Sequence, residues 1–487
     1  MRQVHALLRV GLIGGLLFGP IFLAETEAQE EWSEDDLAAM EELMAILDEE
    51  TTAATKTRLN SDYVPGMVTV LQGEDLEALG VTTVWEALAL VPGIQTYRTA
   101  VGEPFVTVRG LPFPFNAGNV KLLVNSISMT RETSAVNPSV LLLPIEQVDR
   151  IEVVRSPSSS VYGDFAFLGV INIITQKGET GGFVSVQDGE HLAAGAQFSG
   201  ARGNATLDAN LAGWTSSQGE GSLQNTADES RLSGIAELSL GGTSLSYQIF
   251  DRDFEGNTLL RERQQSIDAR HHADLPADWY ADVDVAMLLT DVDMPRGAFE
   301  GDMIRSEIDL GGAMGATDYL FTIGATRAEI DMAELIATER PLDSVVFTDE
   351  TWEQLSASGQ GQFQLLESLT ATVGARIDYR IDLEEDSITP RAALVWRSRQ
   401  QGHSSRQHLL KAQYSAGSRA PTFFELFGLN QSGSHLEFER VATTEASYVY
   451  RDLRRTARLT LFDMNGDDMI FPFGNGIDAL PGAGRRA

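Results

Sequence analysis

Hydrophobic and polar positions follow different patterns on the two sides of Gly181. Upstream, over residues 63–177, short apolar runs typical of buried strands alternate with helical turns that end at glycine or proline. Downstream, short segments alternate between apolar and small or polar side chains, as in residues 245–250 and 369–379. The pattern therefore predicts an α/β unit followed by a long β-rich region.

Capping and turn residues predict the elements of the upstream region. Thr83 and Glu86 have the spacing of a capping box at the start of a helix, and Pro92 would end that helix. Asn125 and Ser126 form a turn pair after an apolar strand. The apolar runs themselves predict strands at residues 67–71, 105–108, 121–124, 151–154 and 170–174.

About fourteen alternating segments follow Gly181. In a transmembrane β-barrel, such strands direct apolar side chains to lipid and small or polar ones to the lumen. A soluble β-sandwich alternates in the same way, so the period alone leaves both architectures open. Aromatic residues near segment ends suit the girdles at a membrane surface, namely Trp214, Trp279, Tyr280, Trp352, Trp396 and Tyr414.

The first residues have the parts of a secretory signal. A basic start with Arg2 and Arg9 precedes an apolar run over residues 10–24, and small residues around Ala28 suit a signal peptidase. The alternative is a membrane anchor, but about 15 apolar residues fall short of the roughly 20 that a spanning helix needs. We therefore predict a cleaved signal peptide.

Composition and charge exclude several classes of function. The chain has no cysteine, which removes disulfides, thiolate catalysis and cysteine metal sites. Its net charge of −34 would repel a phosphate backbone, so no nucleic-acid partner is expected. The seven histidines form no zinc motif, and the sequence has neither a nucleophile elbow nor a phosphate-binding loop. We therefore predict no enzyme, no cofactor and no metal site.

One stretch of the chain carries a specific resemblance. Residues 143–177, LPIEQVDRIEVVRSPSSSVYGDFAFLGVINIITQK, contain a strand, a Ser-Pro-Ser turn, a Tyr-Gly loop and a second apolar strand. They resemble the end of the plug domain of TonB-dependent outer-membrane receptors, which have Gly-Pro-Gly at that turn. With matching segments from residue 64 onward, the resemblance covers about 110 residues. Residues 414–428, YSAGSRAPTFFELFG, resemble a motif of the same family's barrel.

The resemblance implies a fold class and a domain order. The fold is an α/β plug domain followed by an antiparallel transmembrane β-barrel. The expected parts are a signal peptide (residues 1–28), a periplasmic extension (29–58), the plug (59–178) and a partial barrel (182–487). A barrel that encloses such a plug needs about 22 strands, so about fourteen segments indicate an apparently truncated barrel.

The resemblance also implies a function in the cell outer membrane. It predicts a TonB-dependent receptor or transporter for a scarce nutrient such as a siderophore or cobalamin, with TonB as the periplasmic partner. The small-molecule ligand could be a metal chelate, and outer-membrane lipid would surround the barrel. Two alternatives stay open: a soluble secreted β-rich binding module, and a receptor fragment without function.

In this family the segment between the signal peptide and the plug carries the TonB box. This short extended stretch pairs with a strand of TonB, and the alternative for the present chain is a plain linker. The candidate TonB box consists of Thr51, Thr52, Ala53, Ala54 and Thr55.

Loops of the plug would face the ligand at residues 98–104, 111–119 and 130–137. The residues expected to contact it are Arg98, Phe113, Phe115, Asn116 and Arg131. The alternative is that Pro112 and Pro114 only stiffen a connection. Buried charges need partners, so charged residues on plug strands would bind the barrel wall, unless they form pairs that face solvent. These charged residues are Arg109, Glu152 and Arg155.

Overall fold

The structure of the chain is a computed structural model. It describes residues 50–51, 59–60, 66–98, 104–110, 119–131, 137–187, 191–222, 225–255, 259–294, 297–332, 350–398, 406–423, 425–426, 435–452, 455–473, 476–479 and 485–486. The predicted signal peptide, residues 52–55 of the candidate TonB box, and Phe113, Phe115 and Asn116 lie outside the described residues.

The plug, residues 66–175, is built on a mixed sheet. After the short strands β1 (Glu50–Thr51) and β2 (Leu59–Asn60), its elements are β3 (Val68–Gln72), α1 (Gly73–Ala78), α2 (Val84–Leu88), β4 (Ile94–Arg98), β5 (Pro104–Val108), β6 (Val120–Val124), β7 (Ile127–Ser128), α3 (Pro138–Leu141), a 3-10 turn (Ile145–Gln147), β8 (Val148–Val154), α4 (Ser159–Tyr162) and β9 (Gly169–Thr175). The strand order is β3-β8-β9-β6-β7, and only the β6–β9 pair is parallel. β3 therefore forms one edge of the sheet, while β4 pairs separately with β5. None of the described helices is long and apolar enough to cross a membrane.

Local sequence explains where plug elements begin and turn. The Oγ1 atom of Thr83 accepts a hydrogen bond from the backbone N–H of Glu86 at 3.3 Å, which caps α2. The side chain of Asn137 caps α3 in the same way. Asn125 and Ser126 take left-handed φ values of 51° and 68°, which suits the tight hairpin turn between β6 and β7.

Apolar side chains fill the space between the plug sheet and its helices. Val84, Leu88, Ile145, Ile151 and Ile171 are fully buried in one cluster. Burying a side chain of this size stabilises a fold by about 1.5–3 kcal/mol relative to leaving it in water. The plug therefore has the core of an ordinary folded domain.

The rest of the chain forms one long antiparallel sheet, called the wall below. Its strands are β10 (Gly181–Gln187), β11 (His191–Arg202), β12 (Ala205–Ser222), β13 (Asn225–Leu240), β14 (Thr243–Glu255), β15 (Leu259–Leu275), β16 (Trp279–Met294), β17 (Gly297–Met314), β18 (Thr317–Met332), β19 (Glu350–Leu366), β20 (Leu369–Arg380), β21 (Glu385–Arg397), β22 (Gln407–Arg419), β23 (Glu439–Arg451) and β24 (Thr456–Asp467). Each pairs with its neighbours in sequence. After a hairpin of β25 (Ile470–Phe473) and β26 (Gly476–Ala479), the short β27 (Arg485–Arg486) pairs with β24. The predicted change from a mixed α/β unit to antiparallel strands is confirmed. The described residues form fifteen wall strands, β10 to β24, where the sequence indicated about fourteen.

Wall strands bury polar side chains and expose apolar ones. In β21 the buried positions include Ser387, Thr389 and Arg391. Between them, outward-facing Ile388 is 60% exposed, and Leu394 further along is 47% exposed. A soluble β-sandwich buries the opposite set of side chains, so this arrangement fits a wall that is surrounded by lipid.

The connections between wall strands differ in length at the two ends of the sheet. At one end, called the turn end, they are as short as residues 203–204, 241–242 and 315–316. At the other, called the loop end, residues 333–349 and the segment from β22 to β23 are much longer. Among the described residues, β10 and β24 do not pair with each other.

Candidate functional site between the plug and the wall

Inward-facing side chains of the wall contact the plug from several directions. Gln147 of the 3-10 turn donates a hydrogen bond to the side chain of an asparagine in β12 at 2.6 Å. Asn137 contacts Gln264 of β15. Ser159 of α4 donates to the backbone carbonyl of Ser418 in β22 at 3.2 Å. The plug therefore lies against the inner face of the wall, and their interface is the candidate functional site.

One buried ion pair links the plug directly to the wall. Arg109, just after β5, forms an ion pair with Glu445 of β23, and the two side chains are only 4% and 3% exposed. Gln413 of β22 donates a hydrogen bond to the other carboxylate oxygen of Glu445 at 2.6 Å. The Arg109 guanidinium also lies 4.3 Å from the ring centroid of Phe462 in β24, within the range of a cation–π contact. We call these four residues the lock.

Glu152 and Arg155, which were also predicted to meet the wall, form contacts inside the plug. Glu152 forms a 3.0 Å ion pair with Arg150. Arg155 donates a hydrogen bond to Thr69 at 2.8 Å and another to the backbone carbonyl of Pro92. Burial lowers the pKa of Arg155 to about 10, so its guanidinium is still charged at neutral pH. The role of these two residues at the wall stays a prediction.

A second buried ionic cluster lies where β22 ends. Arg419 is fully buried, and its guanidinium contacts the carboxylates of Glu425, at 2.7 Å, and Glu439. Each of the two buried carboxylates therefore has the Arg419 guanidinium as a contact partner, and a buried carboxylate without such a partner would be costly. The backbone N–H of Thr422 donates to Glu425 at 2.8 Å and fixes its orientation. The Arg-Ala-Pro motif found in the sequence therefore shapes the turn after β22.

The plug docks closely on the β22 side of the wall. The Asp164 carboxylate, just after α4, accepts a hydrogen bond from the backbone N–H of Ala420 at 2.8 Å. Burial raises the pKa of the Asp164 carboxyl to about 6. A Cβ atom on Gly417 would lie 2.6 Å from the carbonyl oxygen of Phe167 in the plug. The two backbones are therefore in direct contact here, and Gly417 permits this approach.

A cavity of about 590 Å³ lies between the plug and the part of the wall formed by β13 to β20. It begins beside the turn at residues 241–242 and reaches Trp352 of β19. Its charged lining comes from both parts and includes Lys121, Asp164, Arg270, Glu307, Asp309 and Arg376. Its volume is within the range of small-molecule sites, and its lining mixes charged with apolar side chains.

Of the ligand-facing residues predicted from the sequence, the structure describes Arg98 and Arg131. Arg98, at the end of β4, lies 4.8 Å from the ring centroid of Trp85. Arg131 is 5% exposed and forms an ion pair with Glu262 of β15, near the loop end. Thr51 lies in β1, which pairs with β2. The roles of these residues in ligand or TonB binding stay predictions.

Sequence reasoning missed the wall partners of the lock. Arg109 and Glu445 are 336 positions apart, and no local pattern connects them. One signal was available. Glu445 is a carboxylate at a lumen-facing position of an alternating strand, where a buried charge calls for a partner.

Comparison with known families decides the identity of the fold. The model of the TonB-dependent receptor plug domain matches residues 61–170. The model of the TonB-dependent receptor-like β-barrel matches residues 167–483, more than half of the chain. The chain belongs to the TonB-dependent receptor family. The predicted family and fold class are thereby confirmed, as is the location of the receptor in the outer membrane. Members of this family are receptors and transporters and not enzymes.

Curated relatives resemble short parts of the receptor. The iron-regulated outer membrane virulence protein of Vibrio cholerae is 34% identical over 120 residues, which is 23% of this chain and 18% of that protein. The vitamin B12 transporter BtuB of Vibrio vulnificus is 28% identical over 159 residues, 31% of this chain and 25% of that protein. The chain therefore matches well under two thirds of the length of these relatives.

Solved structures share the fold at low identity. The siderophore receptor PirA from Pseudomonas aeruginosa has a TM-score of 0.65 at 17% identity, over 83% of this chain and 75% of that one. The alcaligin receptor FauA from Bordetella pertussis has a TM-score of 0.64 at 16% identity, over 90% and 79%. In such barrels short turns face the periplasm and long loops face outward. The turn end of the wall is therefore periplasmic and the loop end extracellular.

Proposed function

We propose that this receptor imports a scarce nutrient, either siderophore-bound iron or a corrinoid such as vitamin B12, with energy supplied through TonB. The names of the matched relatives support this class of ligand, since they include an iron-regulated protein and a vitamin B12 transporter. One observation carries the proposal: many of the contacts that hold the folded plug inside the wall are polar. An importer must be closed at rest and still able to open, and polar contacts can be exchanged for water.

Ligand binding takes place at the extracellular end in this mechanism. The contacts would come from Arg98, Phe113, Phe115, Asn116 and Arg131. Arg131 pairs with Glu262 near that end, so an anionic group of the ligand would compete with the Glu262 carboxylate. Release of Glu262 would loosen one contact between the plug and β15.

The path for the ligand would open where the plug is held less tightly to the wall. On the β22–β24 side, the lock and the close approach at Gly417 hold the plug against the wall. Along β13 to β20, the charged cavity lies between the two parts, beside the contacts of Asn137 and Arg131 with β15. Once the ligand has displaced Glu262 from Arg131, the least costly rearrangement widens this cavity and leaves the lock intact. Breaking the lock would add a cost, because losing one partner of a buried ion pair costs about 3–5 kcal/mol.

Coupling to TonB uses the segment before the plug. Residues 51–55 would pair with a strand of TonB, and tension on them would reach β3 directly along the chain. This segment receives energy and makes no contact with the ligand. Uptake and ligand binding should therefore be separable by mutation.

The first test replaces residues 51–55 with a Gly-Ser linker of equal length. Uptake of radiolabelled iron from a panel of siderophores, and of radiolabelled cyanocobalamin, is measured in cells that lack other receptors. We expect uptake to be lost while binding of the same ligand to purified outer membranes is unchanged. Full uptake by the variant would rule out coupling through this segment. Loss of both activities would point instead to misfolding.

The second test uses the absence of native cysteines. The pair Ser159→Cys and Ser418→Cys would tether the plug to β22, whereas Asn137→Cys and Gln264→Cys would tether it to β15. We expect the oxidised β15 tether to block uptake and the oxidised β22 tether to leave it largely intact. Reduction of each pair provides the matched control. Equal inhibition by both tethers would contradict opening along the cavity.

A further inference from the structure

Three potential metal ligands meet at the extracellular end of the wall. Glu385 begins β21, whereas His435 and Glu437 lie in the connection from β22 to β23. One ligand atom from each residue lies within 4.8 Å of the other two. His435 Nε2 is 3.2 Å from Glu385 Oε1. The fold thus brings together side chains that are 50 positions apart in sequence.

The distances suit a single ion. Zinc binds imidazole nitrogen and carboxylate oxygen at about 2.0–2.2 Å, so two ligands in a tetrahedron lie roughly 3.3–3.6 Å apart. The 3.2 Å separation of His435 and Glu385 is close to that edge. A small movement of Glu437, which is exposed, would complete three protein ligands and leave a fourth position for water.

The local charge also favours a cation. Arg440 lies beside the cluster, and its guanidinium donates to the backbone carbonyl of Asp386 at 3.4 Å. Its charge is already paired with Asp468 at 3.0 Å. Two carboxylates and one imidazole therefore meet with little compensation from Arg440, in a chain whose net charge is −34. Such a field raises the local concentration of divalent cations.

We propose that Glu385, His435 and Glu437 form a binding site for one divalent transition-metal ion of the zinc type. The donors are one imidazole and two carboxylates without thiolate, which suits zinc and similar borderline ions better than copper(I). A bound ion would tie the connection between β22 and β23 to the start of β21. The site is independent of the proposed uptake of a siderophore or corrinoid.

The test is a titration of the purified full-length receptor in detergent, after chelator treatment, with zinc chloride alone. We expect one saturable site by calorimetry, and a cobalt(II) complex with the visible absorption of a four-coordinate ion. Losing a residue that only orients a metal ligand typically weakens binding 10–100-fold, so removing a ligand itself, as in His435→Ala, should weaken binding by on the order of 100-fold. The double variant Glu385→Gln, Glu437→Gln should have the same effect.

Glu384→Gln is the matched control, because it removes one exposed carboxylate next to Glu385 and should bind zinc like the wild type. Each variant is first checked for wild-type circular dichroism, which separates lost binding from lost folding. Two results would overturn the proposal: no saturable zinc binding by the wild type, or unchanged binding after His435→Ala. In either case the three side chains form only an ion pair. Loss of binding on His272→Ala instead would place the ion at the exposed cluster of His272, Asp274 and Asp282.

Discussion

The plug buries its apolar side chains in its interior, whereas the wall places many of its apolar side chains on its outer surface. In the plug, residues such as Ile151 and Ile171 are fully buried, as in a soluble domain. In the wall, Ile323 and Ile388 are 58% and 60% exposed, while Arg252 and Arg419 are almost completely buried. The central plug strands are buried on both faces and are apolar along most of their length, whereas the wall strands alternate between a polar inner face and an apolar outer face that suits lipid.

This difference determines what kind of interface the two parts can form. Many contacts between the plug and the wall are hydrogen bonds and ion pairs. Beside them, wall residues such as Ile235, Phe250 and Leu288 pack in the same apolar cluster as the plug core. The apolar contacts resist opening, because separation would expose apolar surface to water. The polar contacts can exchange their partners for water at a lower cost. The wall can therefore hold a folded domain and still release part of it.

The largest expected effect comes from a substitution that leaves buried charges of the wall without a partner. Arg419→Met leaves Glu425 and Glu439 buried next to each other. We expect a loss of about 3–5 kcal/mol in the free energy of unfolding, measured by thermal melting in detergent. The matched control is Arg261→Met, since Arg261 is 63% exposed in its pair with Asp253 and should cost less than about 1 kcal/mol. Equal losses in both variants would contradict the pairing argument.

The next effect tests whether the outer face of the wall meets lipid. Ile323 lies near the middle of β18, and Ile323→Lys should destabilise the membrane-inserted receptor by about 2–4 kcal/mol. Met314→Lys, at the end of β17 beside a turn, should cost only about 0–1 kcal/mol although Met314 is 65% exposed. Unfolding in lipid vesicles provides the measurement. A wall surrounded by water would tolerate both substitutions equally.

A pH dependence tests Asp164, a plug carboxyl that accepts a hydrogen bond from the wall. Because burial raises the pKa of Asp164 to about 6 from 3.8, the folded chain holds this proton more tightly than the unfolded chain. Its contribution to stability is therefore present below about pH 4 and is lost as the pH rises through 6. The difference between the two pKa values corresponds to roughly 3 kcal/mol in the free energy of unfolding.

We expect Asp164→Asn to flatten this dependence. Melting temperatures of the wild type and the variant are compared from pH 4 to pH 7. The variant should gain stability relative to the wild type as the pH rises, because it has no charge to bury. Parallel curves over this range would show that Asp164 is not shielded from water.

The smallest expected effect concerns the short distance between the backbone of β22 and the backbone of the plug. Gly417→Ala adds a Cβ 2.6 Å from the carbonyl oxygen of Phe167, so the plug must shift away from β22. We expect a loss of about 1–3 kcal/mol and faster cleavage of the plug by added protease. Gly213→Ala in β12 is the control, since its Cβ would meet only a backbone oxygen at 3.9 Å. Equal protease resistance of the two variants would mean that the contact at β22 is loose.

Much of the fold could be predicted because its signals are local. The cap at Thr83, the turn at Asn125 and the alternation of β21 each depend on a few neighbouring residues. The site depends instead on residues that only the closed fold brings together. Neither the partner of Arg109 nor the meeting of Glu385 with His435 follows from a local period. Long-range pairing between polar side chains leaves no repeat in the sequence.

The position of β3 at the edge of the plug sheet has a mechanical consequence. A pull on the preceding segment reaches β3 before any other strand of that sheet, and β3 pairs along five residues with β8 alone. Its hydrogen bonds can then break one after another, as in unzipping, instead of all at once under shear. The central β8–β9 and β6–β9 pairs would carry no load until β3 had peeled away. A modest force could thus unravel one margin of the plug while its apolar core persists.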